Sequence, residues 1–157
     1  MDLANVLTVL ALAASPISEL RGAIPVAIVG FYFPWYYAFF LAIIGNLLPV
    51  PFILLFLNAI SRPLSKIGIF KRIFDFLFEH ARKRGKIIER YENIGLVLFV
   101  AIPLPITGAW TGSMAAVLFG LNFKHSMISI SIGVLIAGVI VTSATLLGWS
   151  IFGLLEA

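Results

Sequence analysis

Residues 34–60 and 125–155 carry no Asp, Glu, Lys or Arg. A helix of about 20 apolar residues crosses the hydrocarbon layer of a bilayer, and both runs exceed that length. The chain has 157 residues, 61% hydrophobic and 11% charged. Soluble domains hold about 45–50% apolar and about 25% charged residues, and a chain this short has too little interior to hide the excess. The expectation is an all-α integral membrane protein forming one domain over 1–157, with transmembrane helices at 34–60 and 125–155. Pro49 and Pro51 predict a break in the first of these.

Residues 3–30 and 94–121 are apolar but interrupted. The first contains Ser15-Pro16-Ile17-Ser18-Glu19-Leu20-Arg21-Gly22, the second Pro103-Leu104-Pro105-Ile106-Thr107-Gly108. A break exposed to lipid leaves backbone groups without partners, so it is tolerated only where protein buries it or a cavity hydrates it. Both blocks are therefore expected to be re-entrant helical hairpins that turn at mid-depth.

Nine of the eleven Lys and Arg residues lie in 61–93, which the positive-inside rule places in the cytoplasm. With hairpins at 3–30 and 94–121, the two spans then leave both termini outside and Lys124 inside. Hairpin plus span, repeated in the opposite sense, is an inverted repeat. A sparse echo at an offset of 90 residues accompanies it, pairing Ala11 with Ala101, Gly22 with Gly112, Gly30 with Gly120 and Phe33 with Phe123. Inverted repeats with broken helices meeting near the midplane characterise many secondary transporters.

Within 61–93, Phe70, Ile73, Phe74, Leu77 and Phe78 recur at helical spacing opposite Lys71, Arg72, Asp75, Glu79 and Arg82. This predicts a cytoplasmic amphipathic helix lying against lipid headgroups, a topogenic anchor or a lipid sensor rather than a nucleic-acid surface. The start of the chain has an acidic residue and no early basic cluster, so no cleaved signal is expected. Phe31, Tyr32, Phe33, Trp35, Tyr36 and Tyr37 read as an outer interfacial belt.

Glu19 and Arg21 are the only formally charged residues in the four apolar blocks. Charge inside a bilayer is expensive and marks pathways or partners. Glu19 is a candidate proton or cation site, with Arg21 as an anion clamp or as the partner of Glu19. The alternative is a structural ion pair, which needs irregular backbone because positions 19 and 21 do not face each other on a regular helix. Gly22 and Pro25 follow directly. In the second break Pro103, Pro105, Thr107, Gly108, Trp110, Thr111 and Gly112 offer hydroxyls, freed carbonyls and a helix start, or form a packed turn. Asn46, just before the Pro49 break, either completes the site or joins helices by a hydrogen bond.

There is no cysteine, so disulfides and thiolate metal sites are excluded. Phosphate-loop, GxSxG and HExxH signatures are absent. No metal, cofactor or enzymatic activity is expected.

Ser18-Glu19-Leu20-Arg21-Gly22-Ala23-Ile24-Pro25 resembles the first signature of the small multidrug export protein family. The stretch from Phe99 to Gly112 resembles its second. That family is similar to the DedA superfamily, which includes the VTT lipid scramblases. The resemblance implies a prokaryotic cell membrane, two hairpins meeting at mid-membrane, and proton-coupled movement of lipid-linked phosphates such as undecaprenyl phosphate. Glu19 matches the acidic position of the DedA-like first hairpin. The arginines of the DedA-like second hairpin have no counterpart here, and Arg21 is the candidate replacement.

The expected function is thus a small secondary transporter or lipid flippase, proton- or ion-coupled, acting on a lipid-linked phosphate or a small amphiphile. Membrane lipids, and a second copy in a homodimer, are the expected partners. The alternative is a non-transporting structural or assembly protein.

Overall fold

The computed structural model describes residues 2–56, 85–103 and 107–155. The expected amphipathic helix around residues 70–82 and the Pro105 position lie outside these. Among the described residues all regular structure is helical.

Helix α1, Leu3–Ala14, ends where Pro16 forces the preceding Ser15 out of the helical region, to φ −74° and ψ 138°. Its 12 residues reach roughly 18 Å, short of the about 30 Å hydrocarbon layer. The chain turns at once. The Ser18 hydroxyl donates to the Leu12 carbonyl at 2.9 Å, and the Glu19 N–H donates to the Ser15 carbonyl at 3.1 Å. Helix α2, Glu19–Pro25, begins there. Pro25 has no N–H to continue the α-helical ladder, and the chain passes into a π-helical turn at Val26–Gly30.

Helix α3, Trp35–Leu47, follows. It breaks at the expected Pro49 region and resumes as α4 (residues 50–56), so that Trp35–Phe56 forms a 22-residue apolar span with a mean hydropathy of 2.4. Helix α5, Gly85–Ala101, starts inside the polar stretch, ahead of the apolar block at 94. Helix α6, Ala109–Leu118, occupies the far side of the second break. Helix α7, Phe123–Leu155, is the longest, and its Phe123–Ile151 portion is the second segment long and apolar enough to cross a membrane.

The packing falls into two groups of three. Helices α1, α2 and α3 touch one another, as do α5, α6 and α7, and α7 also contacts α2 and α3. Close approach depends on residues without bulk. A side chain at Gly45 of α3 would meet the Ala13 methyl 2.7 Å away, and one at Gly133 of α7 would meet the Val97 carbonyl at 2.9 Å.

Buried positions are mostly small or β-branched, such as Ala23, Ala42, Ile24, Val100, Ile130 and Val134, whereas Phe40, Ile44, Phe52, Leu98, Val139 and Ile151 point outward. Large side chains outward and small ones inward is the arrangement of helices packed within lipid. The aromatic belt is only partly peripheral. Tyr32, Trp35 and Tyr36 are exposed, while Phe33 is buried and stacks edge-on against Tyr37 at 5.4 Å. Tyr32 meets Trp149 of α7 at 6.3 Å.

Candidate functional site

The turn that opens α2 places Glu19 at φ 46°, the left-handed region that costs a non-glycine residue about 1–3 kcal/mol. This irregular backbone lets Glu19 and Arg21 meet, which a regular helix forbids. Arg21 Nη2 lies 3.8 Å from Glu19 Oε2. The Glu19 side chain is buried, with 6% of its surface exposed, against 24% for Arg21.

Both charged groups reach across to the second break. The Trp110 backbone N–H donates to Glu19 Oε1 at 3.3 Å. Trp110 is in the first turn of α6, so the carboxylate sits where free N–H groups and the helix dipole favour an anion. Arg21 Nη2 donates to the Thr107 carbonyl at 3.2 Å. The Trp110 indole N–H donates back to the Ala14 carbonyl at 3.0 Å. Gly108 lies flat against the carboxylate, and a Cβ there would overlap its oxygens; only glycine permits this approach.

Behind the ion pair is a cavity of about 10 Å³, bounded by Glu19, Leu20, Asn46, Val100, Val134 and Ala137 among others. That is the space one water fills. Asn46 is 1% exposed, and its Oδ1 has no hydrogen-bond partner. In front of the pair an apolar groove of about 900 Å³ runs between Pro25 and Val29 on one wall and Val141, Thr145 and Trp149 on the other. Arg21, Pro103 and Val141 line both hollows. From Val141 to Trp149 the groove follows α7 for roughly 12 Å.

Glu19, Arg21, Asn46, Pro103, Thr107 and Gly108 thus gather around one cavity. Pro25 lies on the groove, and Trp110 ties the two breaks together. Besides Trp110, three candidates stand apart from both hollows. Gly22 faces the Ser18 side chain, and Gly112 faces Val100 of α5. The Thr111 hydroxyl donates locally to the Gly108 carbonyl. The Thr107 hydroxyl likewise donates to the Ile102 carbonyl at 2.5 Å.

The apolar lining was not singled out from sequence. Its only signal is the spacing of Val134, Ala137 and Val141, which puts them on one face of α7. Among the described residues no three His, Asp or Glu side chains cluster to hold a metal ion.

Residues 19–140 match the family model described as "Putative small multi-drug export protein". No curated protein and no solved structure matches the chain. The family match begins at Glu19, inside the first break, and contains the second break, α3 and just over half of α7. The chain therefore belongs to the small multi-drug export family of membrane transporters.

Proposed function

We propose that the protein is a secondary transporter or lipid flippase of the DedA-like type. It moves a lipid-linked phosphate or a small amphiphile past the Glu19–Arg21 pair, coupled to a proton or another ion, without covalent chemistry. The observation that carries this reading is the pair itself. A carboxylate and a guanidinium join two broken segments and line a small cavity next to an apolar groove that the guanidinium also lines. Buried charge of this kind marks substrate and ion paths in membrane proteins.

In this reading residues 3–30 and 94–121 are re-entrant hairpins of an inverted repeat in a prokaryotic cell membrane. The basic segment 61–93 faces the cytoplasm and both termini lie outside. Two facts support it. Helix α1 is too short to cross, and α2 and α6 begin at Glu19 and Ala109, the offset of 90 that also relates Gly22 to Gly112.

Flux measurements in proteoliposomes under an imposed pH gradient test the proposal. With a panel of lipid phosphates and amphiphiles, Glu19→Gln is expected to remove pH-dependent flux while the protein still folds. Unchanged pH-dependent flux in that variant removes Glu19 from the mechanism.

A further inference from the structure

The apolar groove has two ends, and they are held differently. At the Arg21 end hydrogen bonds tie the two broken segments, from Arg21 to the Thr107 carbonyl, from the Trp110 N–H to Glu19 and from the Trp110 indole to the Ala14 carbonyl. At the other end stands Trp149 of α7. Its ring meets Tyr32 edge-on, with centroids 6.3 Å apart and planes at 77°. Among the described residues this is the one aromatic pair that reaches α7. Tyr32 does not itself line the groove. We infer that Tyr32 and Trp149 form a clasp that holds the π-helical wall of the groove at its distance from α7, and that parting the two rings opens the groove to water at that end.

Three observations distinguish this contact from ordinary packing. The first is the backbone. Tyr32 has φ 54°, a left-handed conformation that is unfavourable for a residue with a Cβ. It is held there from both sides. The Phe31 N–H donates to the Val26 carbonyl at 3.0 Å, and the Phe33 N–H donates to the Ala27 carbonyl at 2.9 Å. A strained residue persists where its surroundings over-determine it, and here the strain carries the Tyr32 ring outward to α7 while Phe33 stays buried. The second is exposure. Both Tyr32 and Trp149 are exposed, so separating them uncovers little further surface. The third is the packing of the wall. The π-helical turn rests on α1, α2 and α3, whereas α2 rests on α7 as well. The wall is thus fixed to α7 near Arg21 and stands free of it beyond, across the groove. A side chain at Gly148 would meet nothing within 4 Å, so α7 leaves room there for the wall to move.

An edge-to-face aromatic pair shifts an equilibrium by roughly two- to tenfold. That biases the groove toward its closed form without locking it, and the open form remains a minor state that a ligand can select. The proposed transport path runs through this groove, and the clasp is its gate at the Tyr32 end.

The test reads access to the groove without needing flux. Val141 lines the groove and is buried, so in this cysteine-free chain Val141→Cys reports opening. The probe is 2-sulfonatoethyl methanethiosulfonate, which does not cross a bilayer, added to the full chain in vesicles from the side that labels Tyr32→Cys. Tyr32→Gly removes the ring and relaxes the left-handed backbone. It should leave Tm at or above that of the parent and speed labelling of Val141→Cys roughly two- to tenfold. Trp149→Ala should do at least as much, because Trp149 also lines the groove, and adding Tyr32→Gly to it should change nothing further. Trp149→Phe keeps a ring for Tyr32 and should stay near the parent rate. Ala116→Cys, fully buried on α6, should label at one slow rate in all these backgrounds.

Labelling of Val141→Cys that Tyr32→Gly leaves unchanged overturns the inference. So does a rise shared by Ala116→Cys, which would mean that the whole bundle has loosened, and so does a Tyr32→Gly effect that persists in full without Trp149. Labelling governed by the clasp in a chain that shows no flux would leave this inference standing and remove the transport reading. Flux that requires Glu19, with labelling indifferent to Tyr32→Gly, would do the reverse.

Discussion

The indole N–H of Trp110 donates to the carbonyl of Ala14 across 3.0 Å, fastening the start of α6 to the end of α1. Ala14 is the last residue of its helix, so its carbonyl has no intrahelical partner. Trp110→Phe keeps the aromatic packing and removes the donor. The expected loss is about 1–3 kcal/mol, the cost of an acceptor left without a partner. Thermal unfolding in mild detergent should show a lower Tm for this variant, and a lower one still for Trp110→Ala.

Gly108 and Glu19 should behave as one unit. A methyl at Gly108 overlaps the Glu19 carboxylate, so Gly108→Ala should be strongly destabilising on its own. In a Glu19→Ala background the obstruction is gone, and the same methyl should cost much less. A double-mutant cycle on unfolding free energies should return a coupling of about 0.5–3 kcal/mol. Strict additivity would mean that the carboxylate does not rest on residue 108.

Asn46 should separate stability from function. Its buried Oδ1 lacks a partner, and such a group costs about 1–3 kcal/mol relative to an apolar replacement. Asn46→Leu is expected to leave Tm unchanged or raise it, while lowering flux at least tenfold. A variant with lower Tm and full flux would make Asn46 a structural residue.

Because the chain contains no cysteine, single-cysteine variants need no prior removal of native thiols. Leu3 and Tyr32 flank the first proposed hairpin, at 72% and 77% exposure. In right-side-out vesicles, Leu3→Cys and Tyr32→Cys should both react with an impermeant maleimide from the outside. Reaction from opposite sides would mean that residues 3–30 cross the membrane, and the hairpin would be discarded.

Much of the site was legible because charge is conspicuous in an apolar chain. Glu19 and Arg21 stood out for that reason, and the Pro and Gly residues around Thr107 marked the second break. The groove was not legible. Val141, Ala144 and Trp149 are the kinds of residue that also face lipid, and only packing decides which side of α7 they occupy. The early start of α5 was missed for a different reason. Residues 85–93 are polar and read as a linker, yet they contain no proline and include Lys, Glu and Arg, which sustain a helix. The π-helical turn after Pro25 leaves no periodic trace in so short a segment. The closeness of Glu19 to Arg21 depended on one left-handed residue that spacing alone would forbid.

Each tie across the two breaks has a side chain at one end and a peptide group at the other. Glu19 meets the Trp110 N–H, Arg21 meets the Thr107 carbonyl, and Trp110 meets the Ala14 carbonyl. Peptide groups are supplied by every residue, proline's missing N–H apart. Residues 107 and 14 can therefore change identity over generations without dissolving the joint, provided the main chain keeps its path. What heredity must preserve at those two positions is a shape, whereas at Glu19, Arg21 and Trp110 it must preserve the chemical group itself.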